Sequence, residues 1–114
     1  MLTSGDVVTV DLGQPVGREA GYRHLAVVVT AQRLLDAGPS VVQVVPLTST
    51  LRGFGSEVQI DADQHNGLDH ASSAQCQHVR AVAAGRLGEP LGNVGTTALT
   101  QIREVLGLIL DVPA

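Results

Sequence analysis

Leu25-Ala26-Val27-Val28-Val29 offers no polar position to water. A short run that is apolar throughout reads as a strand buried on both faces or nearly so. Branched Val side chains suit the pleat of a sheet. Val41-Val42-Gln43-Val44-Val45 is another strand, ending at Pro46. Working outward, Val7-Val8-Thr9-Val10-Asp11-Leu12 predicts a first strand, and Glu57-Val58-Gln59-Ile60-Asp61 alternates as a half-exposed strand does. Ser73 to Val82 is strand-like and runs into a Gly-rich bend around Gly85, and Leu91 to Val94 forms a short last strand. Ala31 to Ala37 predicts a single helical turn, stopped by Gly38-Pro39. Polar, glycine-bearing stretches at 13–23, 48–55 and 62–70 are loops.

The period changes at the C-terminal end. Leu99, Ile102, Leu106 and Ile109 fall on one helical stripe with Val105 and Leu110 beside it. Thr96 is placed to cap the first turn, and Pro113 cannot extend the helix. Strands first and one packed helix last define a mainly β, α+β chain. The expected architecture is a single domain over residues 1–114, a compact antiparallel, barrel-like sheet covered by a C-terminal helix.

The 114 residues are 44% hydrophobic, enough for one core without disulfides. No apolar stretch approaches the ~20 residues of a membrane span. The start, Met1-Leu2-Thr3-Ser4-Gly5-Asp6, has no basic region followed by an apolar run, so no signal peptide is expected. One cysteine, Cys76, excludes an internal disulfide and suits a reducing cytoplasm. All seven basic residues are arginine, and a net charge of −4 excludes a general nucleic-acid coat. Four arginines lie in residues 1–60 against five acids, and three in residues 61–114 against six, so an anion site belongs in the first half.

Four stretches, in order, resemble the MazF/PemK family of toxin–antitoxin systems over nearly the whole chain. Gly5-Asp6-Val7-Val8-Thr9-Val10-Asp11-Leu12 is similar to the family's opening G-D-x-x-x-V-D-L. Gly17-Arg18-Glu19-Ala20-Gly21-Tyr22-Arg23 is similar to its G-x-E-x-x-x-R loop, and Val45-Pro46-Leu47-Thr48-Ser49 to its P-x-T segment. Val79-Arg80-Ala81-Val82 with Arg86-Leu87 resembles its I-R-x-I…R-L stretch. The sequence departs where the family usually has proline after the loop arginine, here His24, and glutamine before I-R, here His78.

The resemblance implies an SH3-like, CcdB-like barrel, a homodimer, endonucleolytic cleavage of single-stranded RNA and neutralisation by a cognate antitoxin. It places the functional arginine on Arg23 and the functional threonine on Thr48. Metal-free RNA cleavage uses the 2′-hydroxyl as nucleophile and leaves a 2′,3′-cyclic phosphate and a 5′-hydroxyl. It needs a base, positive charge on the phosphorane and an acid. A guanidinium such as that of Arg23 grips two phosphate oxygens at once, and the Thr48 hydroxyl donates to one or orients the nucleophile. Each is otherwise a surface ion pair or a turn cap. His78 and, less directly, His24 are candidate proton shuttles, because imidazole changes charge near neutrality. If the strand has begun at Arg23, however, His24 faces away from it.

Further RNA contacts are expected at Arg18, Glu19 and Tyr22 in the first loop, at Ser49, Arg52 and Phe54 in the second, and at Gln77 and Arg80. Tyr22 and Phe54, the only aromatics, either stack unpaired bases or plug the core. Asp61, Asp63, His65, Asp69 and His70 match no metal-loop spacing. They read as a solvated turn, so no metal or other cofactor is expected. Cys76, between Gln75 and Gln77, lacks a base partner and reads as a buried strand residue. Rival readings are a CcdB-like gyrase inhibitor, against which the absence of Trp counts, a non-catalytic SH3-like binding module, and an inactive family member.

Overall fold

The computed structural model describes residues 1–13, 17 and 23–113. Among the described residues, seven strands and two helices follow in the order β1 (Asp6–Asp11), β2 (Arg23–Val28), α1 (Gln32–Asp36), β3 (Val41–Thr48), β4 (Glu57–Ile60), β5 (Ser72–Gln75), β6 (Arg80–Ala83), β7 (Gly92–Asn93) and α2 (Gly95–Ile109). Turns of 3₁₀ helix at Cys76–His78 and Ala84–Arg86 frame β6. All pairings are antiparallel. The longest path through the sheet is β4-β5-β3-β2-β1-β7, with β6 also on β3. The chain after β6 curls back so that Leu87 bridges Val10 of β1. The result is the expected mainly β half-barrel with a C-terminal helix.

Leu25–Val29 is covered on both faces because a core lies on each side of the sheet, whereas Val41 and Gln43 of the second run are exposed. Val8, Val10, Ala26, Val28, Val42, Val44 and Val82 fill the curl of the sheet, with Leu35 of α1 closing one end. Alternate positions Val7, Val27, Val29, Val45 and Leu47 face the other way, against Val58, Ala74, Cys76 and the α2 residues Leu99 and Ile102. Period-2 alternation therefore sends successive side chains into two cores.

Three boundaries differ from expectation. β3 does not stop at Pro46 but continues to Thr48. On one side Pro46 pairs with Ala26 of β2. On the other, β3 changes partner around it, from β6 at Val41–Val44 to β5 at Leu47–Thr48. A missing N–H is tolerated where no partner strand demands one. The segment Ser73–Val82 is not one strand. It breaks at Cys76–His78, which turns the corner between the two stretches paired to β3. Thr96 does not cap α2, which begins at Gly95 with Val94 in the cap position. The Asn93 side chain accepts from the Gly95 N–H at 2.8 Å instead.

The loop 61–70 is folded by its own side chains. Asn66 is fully buried. Its Nδ2 donates to the Asp61 carbonyl at 2.8 Å, and its Oδ1 accepts from the N–H groups of Asp63 and Leu68. The loop then lies directly on the backbone before α2. The Asn93 N–H donates to the His65 carbonyl at 2.8 Å. A Cβ at Gly92 would collide with that carbonyl, and one at Gly67, where φ is +71°, would sit 2.5 Å from the Leu91 carbonyl. This close approach carries residues 67–72 to the mouth of β2 and β3.

Candidate active site

Antiparallel pairing of β2 with β3, in the register Ala26↔Pro46, brings the start of β2 to the end of β3. Arg23 and Thr48, 25 positions apart in sequence, therefore line one cavity of about 460 Å³, together with His24, Ser49, Asp69 and His70. Its apolar walls include Leu25, Leu47 and Leu68, the last two buried. Arg23 is exposed, and among the described residues no carboxylate lies within ion-pair distance of it. The Thr48 oxygen accepts from the Thr50 N–H at 3.2 Å, so it does cap a turn. That bond occupies a lone pair and leaves the hydroxyl hydrogen available to donate. His24, expected to face away from Arg23, also borders the cavity, half-buried, with Nδ1 3.5 Å from the Leu47 carbonyl oxygen.

The remaining candidates are dispersed. Ser49 stands exposed on the rim. Arg18, Glu19 and Tyr22 lie outside the described residues. His78 is half-buried on the 3₁₀ turn and is not among the residues lining this cavity. Arg80 pairs with Val44 and donates to the Leu12 carbonyl at 3.3 Å.

Arg52 and Gln77 meet at a residue that sequence reading passed over, Glu57. The Arg52 Nη2 lies 2.8 Å from Glu57 Oε2, Gln77 Nε2 donates to the same oxygen at 2.6 Å, and Ser73 donates to Oε1 at 3.0 Å. The Arg52 guanidinium also lies over the exposed Phe54 ring, 5.0 Å from its centroid. Phe54 does not plug the core.

Burial works to raise the Glu57 pKa, but the hydrogen bonds from Gln77, Arg52 and Ser73 and the charge of Arg52 outweigh it. The carboxyl is held below its ordinary value of 4.5. A depressed native pKa stabilises the fold above the unfolded value and loses that contribution as pH falls through the native one. Thermal stability of the wild type should therefore drop on acidification below about pH 4.5. Glu57→Gln should flatten that part of the curve while lowering the melting temperature at pH 7. An unchanged acid limb in the variant would remove Glu57 as its source.

Cys76 is fully buried on the 3₁₀ turn rather than in a strand, and burial pushes its thiol up to about 11. A thiol held protonated is inert as a nucleophile. Among the described residues, no group of three or more His, Cys, Asp or Glu is placed to hold a metal ion. The run from Asp61 to His70 is nevertheless not a solvated turn throughout. Asp63 binds the N–H groups of His65 and Asn66, and Asp69 and His70 reach the cavity. No local pattern announces this, since it depends on the contact of the loop with Leu91–Asn93.

Residues 3–110 match the family described as PemK-like, MazF-like toxin of type II toxin–antitoxin system. The chain is 36% identical to endoribonuclease MazF9 of Mycobacterium tuberculosis, covering 98% of both proteins. It is 31% identical to endoribonuclease MazF3 of the same species over 62% of this chain and 67% of the relative. Among solved structures, MazF of Deinococcus radiodurans superposes with a TM-score of 0.80 at 24% identity, covering 96% of each chain. A mycobacterial endoribonuclease solved with its cognate antitoxin superposes with a TM-score of 0.76 at 19% identity, over 100% of this chain and 99% of that one. At these identities the two structures speak for the fold, whereas the family match and the 36% relative span the sequence itself. The chain belongs to the PemK/MazF family of toxins of type II toxin–antitoxin systems.

Proposed function

We propose that this toxin is an endoribonuclease that cleaves single-stranded RNA at the cavity between β2, β3 and the loop 67–72, without a metal ion. The observation that carries the reading is the convergence of Arg23 and Thr48 on one partly apolar cavity. RNA supplies its own nucleophile: the 2′-oxygen attacks the adjacent phosphorus and the 5′-oxygen departs. The products are a 2′,3′-cyclic phosphate and a 5′-hydroxyl. Arg23 provides two N–H donors and a permanent charge for the crowded phosphorane, and Thr48 donates a further hydrogen bond. The apolar walls lower the local dielectric and strengthen both contacts. Ser49 borders the cavity where the flanking backbone would pass. Phe54, exposed and overlain by Arg52, offers a stacking platform for an unpaired base.

The same reading brings a cognate antitoxin, as in the solved complex of a relative, and a second copy of the chain. Leu108, Leu110 and Val112 present an apolar surface that dimerisation would cover. A free, buried thiol as the only cysteine suits the cytoplasm.

The test is incubation of the purified protein with a mixed-sequence single-stranded RNA in EDTA, followed by mapping of both new ends. Cleavage with cyclic-phosphate and 5′-hydroxyl ends is expected. Absence of cleavage would sink the ribonuclease reading, and 5′-phosphate ends would sink the 2′-hydroxyl mechanism.

A further inference from the structure

Cleavage by the 2′-oxygen moves two protons. One leaves the 2′-hydroxyl as the O2′–P bond forms, and one reaches the 5′-oxygen as the P–O5′ bond breaks. Arg23 supplies charge but no transferable proton, because a guanidinium is not deprotonated in proteins. The Thr48 hydroxyl donates a hydrogen bond without giving up its proton. Among the described residues, the titratable side chains lining the cavity are Arg23, His24, Asp69 and His70. Only the two imidazoles both accept and release protons near neutral pH.

We propose that His24 and His70 form the proton-transfer pair of this site, His24 as base toward the 2′-hydroxyl and His70 as acid toward the 5′-oxygen. The assignment rests on the reading of Arg23 and Thr48 as a ribonuclease site. The two rings come from different elements, β2 and the loop before β5, that both border the cavity. Their roles follow from their surroundings. The Nδ1 of His24 is 3.5 Å from the Leu47 carbonyl oxygen. A carbonyl only accepts, so a neutral ring that donates from Nδ1 to it has its lone pair on Nε2. His70 is exposed on the cavity rim, where it exchanges protons with water between turnovers. Among the described residues, Asp69 and Arg23 are the other charged groups lining the same cavity. In one turnover His24 gains the nucleophile's proton and His70 gives one to the leaving group. Exchange with solvent restores both, and no oxidant or metal takes part.

The leaving-group role has a chemical signature. The cleavage site is first mapped on the mixed-sequence RNA. An oligoribonucleotide carrying that site is then made with oxygen or with bridging sulfur at the 5′ position. A thiolate departs without protonation, so the sulfur substrate does not need the acid. His70→Gln should lose about 10²–10⁴-fold on the oxygen substrate, the usual contribution of a positioned acid, and regain close to the wild-type rate on the sulfur one. His24→Gln should lose rate on both. Wild-type activity of His70→Gln on oxygen, or an equal loss on both substrates, overturns the acid assignment. Full activity of His24→Gln overturns the base. Arg23→Ala separates the two levels. If wild type cuts, Arg23→Ala does not and both histidine variants do, only the histidine pair falls. If wild type cuts nothing, the ribonuclease reading falls with it.

Discussion

Arg23→Ala is expected to lower the single-turnover rate of RNA cleavage by at least about 10²–10³-fold, the usual effect of removing one preorganised donor from a developing oxyanion. Three features of the position argue for the upper end. The guanidinium is charged, so its hydrogen bonds to phosphate are roughly twice as strong as neutral ones. It borders a cavity with Leu25, Leu47 and Leu68 on its walls, where charge interactions are less screened than in water. It also stands at the first residue of β2, anchored by pairing with Asp11 of β1, so its backbone is fixed before substrate arrives. Arg23→Lys should recover part of the rate only, because an ammonium cannot hold two phosphate oxygens in one plane. Folding should not confound the result. Arg23 is exposed, and surface substitutions usually change stability by less than about 0.5 kcal/mol. Retention of the full rate by Arg23→Ala, with the melting temperature unchanged, would place the chemistry elsewhere.

The sheet is readable from Leu25–Val29, where two-sided burial leaves a local trace in a run that is apolar throughout, and from the Val-rich run Val41–Val45. The stripe Leu99, Ile102, Leu106 was readable for the same reason at helical period. What escaped were features set by residues far apart in the chain. Pro46 looked like a strand end, yet β3 passes through it because its partner changes there. Ser73–Val82 looked continuous, yet the curvature of the half-barrel requires a corner at Cys76–His78. Arg52 and Gln77 looked available for RNA, but the polar side chain of Glu57, 20 positions before Gln77, gathers both. The family resemblance singles out Arg23 and Thr48, and both line one cavity. Asp69 and His70 read as part of a polar turn, since only the Asn66 bonds and the glycine contacts at Gly67 and Gly92 press that loop against the cavity. Local periodicity carries the scaffold, and the polar half of the site depends on loop packing that no period encodes.

Ile102→Ala tests the other structural claim, that α2 is the wall of a core and not an appendage. Ile102 is fully buried and packs in the cluster that holds Val7, Val27, Val45, Val58 and Cys76. That cluster thus joins β1, β2, β3, β4 and the 3₁₀ corner to the helix. Truncating a buried Ile to Ala costs about 2–5 kcal/mol, the transfer term plus the cavity left behind. The surrounding valines are stiff at χ1 and relax little into the gap, which argues for the larger values. A domain of this size has only about 5–15 kcal/mol of stability, so the loss should appear as a fall of roughly 10 °C or more in melting temperature. Leu108→Ala is the matched control on the outer face of the same helix, where the side chain is 80% exposed. In the monomer its cost should stay within about 0.5 kcal/mol. Should a second copy cover that face, the Leu108→Ala loss would grow with protein concentration, because association stabilises by mass action. The Ile102→Ala loss would be present at every concentration. A melting temperature unchanged by Ile102→Ala would mean that the helix does not share the core with the sheet.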